Sequence, residues 1–207
     1  MTKIKLCGLT RLCDIETVNI LLPEFIGFVF AGKSRRYVSP ENAGKLRREL
    51  NPAIRTVGVF VREMPEAVAL LLNEGVIDLA QLHGGEDNGY IERLRALTDK
   101  PLMQAFRVDG PADLTPAYES RADYILLDHG AGGTGRAFDW KWLEGFDRPY
   151  FLAGGLGPEN VKKAVEMLHP YAVDVSSGIE TEGVKDRDKM RAFVEAVRNA
   201  SGKEEKT

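Results

Sequence analysis

Eight short apolar runs recur along the chain at intervals that leave room for one helix between neighbours: 4–7, 25–30, 55–61, 79–82, 102–106, 124–128, 150–153 and 172–175. Each has the length of a strand buried on both faces. Between most of them lie segments with the 3.6-residue periodicity of amphipathic helices: 12–22, 40–50, 65–73, 90–97, 158–168 and 188–200. Ser39 stands before Pro40, and Pro158 follows Gly157. A proline in the first helical turn gives up an N–H that has no partner there, so both places are read as helix starts. The stretch 109–119 carries Pro111 and Pro116, and 139–144 is short, so the fifth and sixth crossovers are expected to be abbreviated.

Eight strand–helix alternations in 207 residues match the smallest (β/α)8 barrels, which need about 200 residues. An open doubly wound sheet uses fewer strands and commonly opens on Gly-x-Gly-x-x-Gly, whereas the first loop here is Cys7-Gly8-Leu9-Thr10. The expected fold is therefore α/β, a single-domain (β/α)8 TIM barrel over residues 1–200, followed by a disordered polar tail at 201–207. With 43% hydrophobic and 29% charged residues the chain can bury a core, and no apolar run approaches the ~18 residues of a spanning helix. A net charge of −3 gives no electrostatic reason to bind nucleic acid or an anionic membrane. Two cysteines are too few for a disulfide framework, so a reducing, cytoplasmic setting is expected.

In such a barrel chemistry gathers where strands end, at the C-terminal face. The polar residues at those ends are Cys7, Arg36, Gln81, His83, Asp128 and Asp174. Alternation puts Lys3, Lys5 and Cys7 on one face of strand one, with Ile4 and Leu6 on the other. If Cys7 faces the mouth, Lys5 lies beneath it and its charge favours a thiolate, one way to make a base. Cys13, inside the first helix, is expected to be a packed thiol. Asp128 follows an apolar run, and a carboxyl held at a dry rim can act as a general acid. His83 could touch a ligand or brace its own loop. The histidines lack metal-binding spacing, so no metal is expected. Glycine-rich loops follow strands six, seven and eight: 130–135, 153–157 and 176–178. Their backbone N–H groups can cradle a phosphate, so the loops that carry Gly133, Gly154, Gly155, Ser177 and Gly178 point to a small phosphorylated ligand. The first of these loops could also close over that anion as a lid.

The chain resembles the phosphoribosylanthranilate isomerase family in an ordered set of segments. They include Lys5-Leu6-Cys7-Gly8-Leu9-Thr10-Arg11, Gly27-Phe28-Val29-Phe30, Gln81-Leu82-His83-Gly84, Leu127-Asp128, Ala153-Gly154-Gly155-Leu156 and Asp174-Val175-Ser176-Ser177-Gly178-Ile179-Glu180. The resemblance implies a cofactor-free Amadori rearrangement in tryptophan biosynthesis, with Asp128 as acid and Cys7 as base. It also implies that Arg36 clamps a carboxylate, that Asp174 holds a ribose hydroxyl and that the chain acts as a monomer or a homodimer. Arg35 stands beside Arg36, so the clamp is one of the two. A histidine-pathway isomerase would carry an aspartate at the end of strand one and an internal duplication, and neither is seen here. A silent phosphate-binding barrel is the contrasting reading; the Cys7 and Asp128 pair argues against it.

Overall fold

The computed structural model describes residues 1–128, 140–143 and 145–201. Eight parallel strands run β1 (Lys3–Cys7), β2 (Phe25–Val29), β3 (Arg55–Phe60), β4 (Leu79–Leu82), β5 (Leu102–Arg107), β6 (Tyr124–Asp128), β7 (Tyr150–Ala153) and β8 (Ala172–Val175). They pair in sequence order, and β8 closes on β1 with Lys5 opposite Asp174, so the expected barrel is formed. The helices are α1 (Leu12–Leu21), α2 (Pro40–Glu49), α3 (Pro65–Asn73), α4 (Asn88–Arg95), α5 (Thr115–Glu119), α6 (Val161–Leu168) and α7 (Arg187–Ser201).

Outward-facing residues such as Ile4 and Leu6 join the helices in the main core. The interior is floored by a separate cluster to which each of β2 to β8 contributes, with a bottom layer of Phe25, Val57, Leu79, Met103, Leu126, Phe151 and Ala172 and with Ala153 above it. Side chains alternate along a strand, so the residue two positions further on also points inward, one step nearer the mouth. Gly27, Val59, Gln81, Asp128, Ala153 and Asp174 occupy those steps. An apolar floor thus fixes which side chains reach the site.

Local chemistry explains most boundaries. Ser39 caps α2 by accepting from Asn42 N at 3.3 Å, and Asp87 caps α4 by accepting from Tyr90 N at 2.8 Å. The expected start of α6 at Pro158 is wrong. Gly157 N donates to Asn160 Oδ1 at 2.9 Å and Asn160 Nδ2 donates to Gly155 O at 2.8 Å, so the proline sits in a self-bonded turn and the helix begins at Val161. Cys13 is exposed on α1 rather than packed; the buried face of that helix is Asp14, Ile15, Thr17, Val18 and Leu21. The fifth crossover is abbreviated to a 3-10 turn, Pro111–Leu114, and the five-residue α5. Between β6 and β7 the described part is another 3-10 turn, Trp140–Leu143. His129, the loop at 130–135 with Gly133, and the tail at 202–207 lie outside the described residues.

Candidate active site

A cavity of about 380 Å³ opens at the C-terminal ends of the strands. Its wall brings together Cys7, Arg36, Gln81, His83, Asp128 and Asp174, drawn from six places spread over 168 residues of chain. Gly154, Gly155 and Ser177 line it as well. Gly178 stands behind the wall, where a Cβ would collide with the Leu156 carbonyl oxygen, so it lets the loops after β7 and β8 pack together. Gly154 and Gly155 have φ of 92° and 63°, a consecutive left-handed pair that glycine adopts without strain. Arg35 is exposed and is not on the cavity wall; Arg36 is.

The β1–β8 side is buried and charged. Lys5 is fully buried, and its Nζ donates to both Asp174 oxygens at 3.0 Å. Burial pulls the Lys5 ammonium down, but the Asp174 carboxylate outweighs it and the group stays firmly charged. Cys7 was expected to be turned toward thiolate by that cation. Instead burial pushes its thiol up, and the Lys5 charge pulls back only part of the way because Asp174 opposes it. The partner that cancels the cation lies 169 residues from Lys5.

Arg36 presents Nε and Nη2 to Glu180 Oε1 and Oε2 at 2.6 and 2.7 Å, a bidentate fork. That bond raises the guanidinium further, against the cost of its burial. Glu180 lies at the start of a small hairpin, β9 (Glu180–Thr181) and β10 (Val184–Lys185), turned by Glu182 and Gly183 at φ of 54° and 81°. Lys185 stands opposite it and donates to Glu180 Oε1 at 2.6 Å and to Ser176 O at 2.8 Å. Burial would push the Glu180 carboxyl up, but Arg36 and Lys185 together hold it below the usual range. Ser176 Oγ donates to Cys7 O at 3.2 Å and completes a chain of contacts from Arg36 to β1. Glu180 and Lys185 were missed as supporting residues; the signal was a two-residue Glu182-Gly183 turn between short extended runs.

The β4–β6 side is more open. Gln81 Nε2 meets His83 Nδ1 at 2.8 Å, and with the amide donating, the ring proton lies on Nε2. That nitrogen faces Asp128 Oδ2 at 3.4 Å. Asp128 keeps 30% of its side chain exposed, so its rim is wetter than the preceding apolar run suggested. Among the described residues Gln81 Oε1 is buried with no partner, an acceptor at the wall that a donor could meet. Among the described residues, no group of three or more His, Cys, Asp or Glu could hold a metal ion, and no helix is long and apolar enough to cross a membrane.

The family model described as N-(5'phosphoribosyl)anthranilate (PRA) isomerase matches residues 4–196. A relative named N-(5'-phosphoribosyl)anthranilate isomerase, from Endomicrobium trichonymphae, is 44% identical over 203 residues, covering 96% of this chain and all of its own. The phosphoribosyl anthranilate isomerase of Thermotoga maritima superposes with a TM-score of 0.89 at 35% identity, over 96% of this chain and 100% of its own. A phosphoribosyl anthranilate isomerase in complex with reduced 1-(o-carboxyphenylamino)-1-deoxyribulose 5-phosphate gives 0.86 at the same identity and coverage. A model that spans nearly the whole chain, and relatives that match it from end to end, carry the conclusion that this chain belongs to the N-(5'-phosphoribosyl)anthranilate isomerase family.

Proposed function

We propose that the chain converts N-(5-phosphoribosyl)anthranilate to 1-(2-carboxyphenylamino)-1-deoxyribulose 5-phosphate, with Asp128 as general acid and Cys7 as general base. The observation that carries this reading is that both groups border one cavity, from strands β6 and β1, beside a glycine turn suited to an anion. Protonated Asp128 gives its proton to the furanose ring oxygen; the ring C–O bond breaks and the nitrogen lone pair forms an iminium ion. Cys7 thiolate then takes the C2′ proton, and the C–H pair becomes the double bond of an enolamine. Tautomerisation adds a proton at C1′ and removes that of the C2′ hydroxyl, leaving the ketone. Acid and base act in succession because an alkoxide leaves poorly and a C–H bond needs its proton removed.

Arg36 holds the anthranilate carboxylate with the edge that Glu180 leaves free, Nη1 and one Nη2 hydrogen. Gln81 Oε1 accepts from a sugar hydroxyl and His83 steadies Asp128. Asp174 takes a ribose hydroxyl. Gly154, Gly155 and Ser177 border the phosphate cradle, Gly178 lets its two loops pack together from behind, and Gly133 belongs to the same set. The reading includes no cofactor, a cytoplasmic setting, no nucleic acid or membrane partner, and a monomer or homodimer.

The test is loss of anthranilate-type fluorescence with substrate generated in situ. Wild type should turn over rapidly, and Cys7→Ala and Asp128→Asn should each lose about 10²–10⁴-fold in kcat with ligand binding retained, the range that general acid–base groups supply. Equal traces in all three, with the product analogue still bound, would reduce the chain to a phosphate-binding barrel.

A further inference from the structure

Lys5 is a buried ammonium that the reaction above does not use. Its Nζ donates to both Asp174 oxygens, and Cys7 lies two residues further along the same inward face of β1, near enough for the Lys5 charge to act on its thiol. Asp174 in turn touches both worlds: it is only 9% exposed, yet it borders the cavity where a sugar would lie. We propose that Lys5 and Asp174 form a charge switch, in which Asp174 holds the Lys5 ammonium in the open site and a sugar hydroxyl donated to Asp174 hands that charge to Cys7. The proposal rests on the reading of Cys7 as the base and of Asp174 as a hydroxyl acceptor.

The physics is a competition at short range. A carboxylate that accepts an additional hydrogen bond binds its other donors less strongly, and its own field at the sulfur weakens as the hydroxyl dipole aligns against it. The same ligand fills the mouth, which strengthens the remaining attraction between ammonium and sulfur. Lys5 and Asp174 exchange no proton in this step; the one proton that moves is the thiol's, which leaves for water. The other groups around Cys7 do not supply such a switch. Lys185 is bound to Glu180 and Ser176, Arg36 is bound to Glu180, and His83 and Asp128 lie across the cavity on β4 and β6. Burial raises the thiol in the open site, and Lys5 opposes that while Asp174 adds to it, as the switch requires.

The experiment reads the Cys7 thiolate directly, by its ultraviolet absorbance near 240 nm against pH, on a Cys13→Ser background with the Cys7→Ser/Cys13→Ser protein subtracted. Ribulose 5-phosphate is the probe because it offers hydroxyls and a phosphate without an aromatic ring, at concentrations that calorimetry shows to saturate. In the otherwise wild-type site the probe should lower the titration midpoint by at least about one pH unit, a tenfold change in the equilibrium. Asp174→Asn should lower it by a similar amount without the probe, which then adds little. The Lys5→Met/Asp174→Asn double variant, which removes the pair together and leaves no unpaired buried charge, should lose that lowering. An Asp174→Asn midpoint at or above the wild-type value overturns the proposal, as does a double variant that titrates like Asp174→Asn. A saturating probe that leaves the wild-type midpoint in place overturns the ligand-driven step. None of these readouts depends on turnover, so a Cys7 that titrates as described but proves dispensable for activity would sink the assigned reaction and leave the switch standing.

Discussion

Around Cys7 every neighbouring charge is tied to a partner inside the protein, whereas Asp128 and its neighbour His83 both reach solvent. Lys5 is fully buried and Asp174 9% exposed, while His83 and Asp128 keep 36% and 30% of their side chains accessible. Fixed charges in a dry setting act strongly on a nearby group, so the β1–β8 side is where a weak base can be tuned. An acid that must recover its proton from water each cycle gains from an exposed rim. On the proposed reading, one barrel mouth supplies two environments for two successive proton transfers.

Substitutions that disturb the buried side should cost most. A Cβ at Gly27 would lie 2.6 Å from Cys7 Sγ and 3.1 Å from Cys7 Cα, so Gly27→Ala must push the sulfur aside. We expect kcat to fall by about 10²-fold with KM little changed, the cost of misplacing a reacting group by about 1 Å. Wild-type kcat would mean that the tight packing at β1 is irrelevant to the base. Glu180→Gln removes the charge that orients Arg36; a hydrogen bond to a charged group is worth about 1.5–3 kcal/mol, and losing part of it should raise KM about tenfold with kcat less affected. A fall in kcat at constant KM would move Glu180 from the carboxylate end to the reacting centre.

The same residue predicts an acid sensitivity. Glu180 titrates below its usual range in the folded chain, so its contribution is present above the unfolded value of about 4.3 and is lost as pH falls through the folded one. Melting temperature should drop more steeply below pH 5 in wild type than in Glu180→Gln, and parallel curves would deny Glu180 that role. On the exposed side, His83→Ala removes a pair of the kind worth about 0.2–1 kcal/mol, so kcat should fall only ~2–5-fold. A loss as large as that of Gly27→Ala would erase the distinction between the two sides.

Strand positions were legible because an inward face filled by Phe25, Leu79, Leu126 and Phe151, with apolar helix-facing neighbours, leaves a continuous apolar run in the sequence. The cavity wall followed from the same alternation, which carries Gln81, Asp128 and Asp174 to the mouth. What escaped was pairing at long range. The position of Lys5 under Cys7 was readable, but the carboxylate that balances it is 169 residues away, and Arg36 and Glu180 are 144 apart. Pro158 misled for the opposite reason. A proline after glycine suits a helix start and a tight turn equally, and the bonds of Asn160 decide between them.

The Lys5–Asp174 pair also ties catalysis to the way the chain folds. It joins the first strand to the last, so it is among the contacts of greatest sequence separation, which are slow to form because a long loop must close first. Before β8 docks, a chain that has assembled β1 to β7 holds an ammonium with no counter-ion to bury against, and partial barrels are destabilised at that seam. Docking β8 satisfies Lys5 and builds the wall beside Cys7 in the same event. Activity regained during refolding therefore counts closed rings, while helical signal counts only the pieces from which they are made.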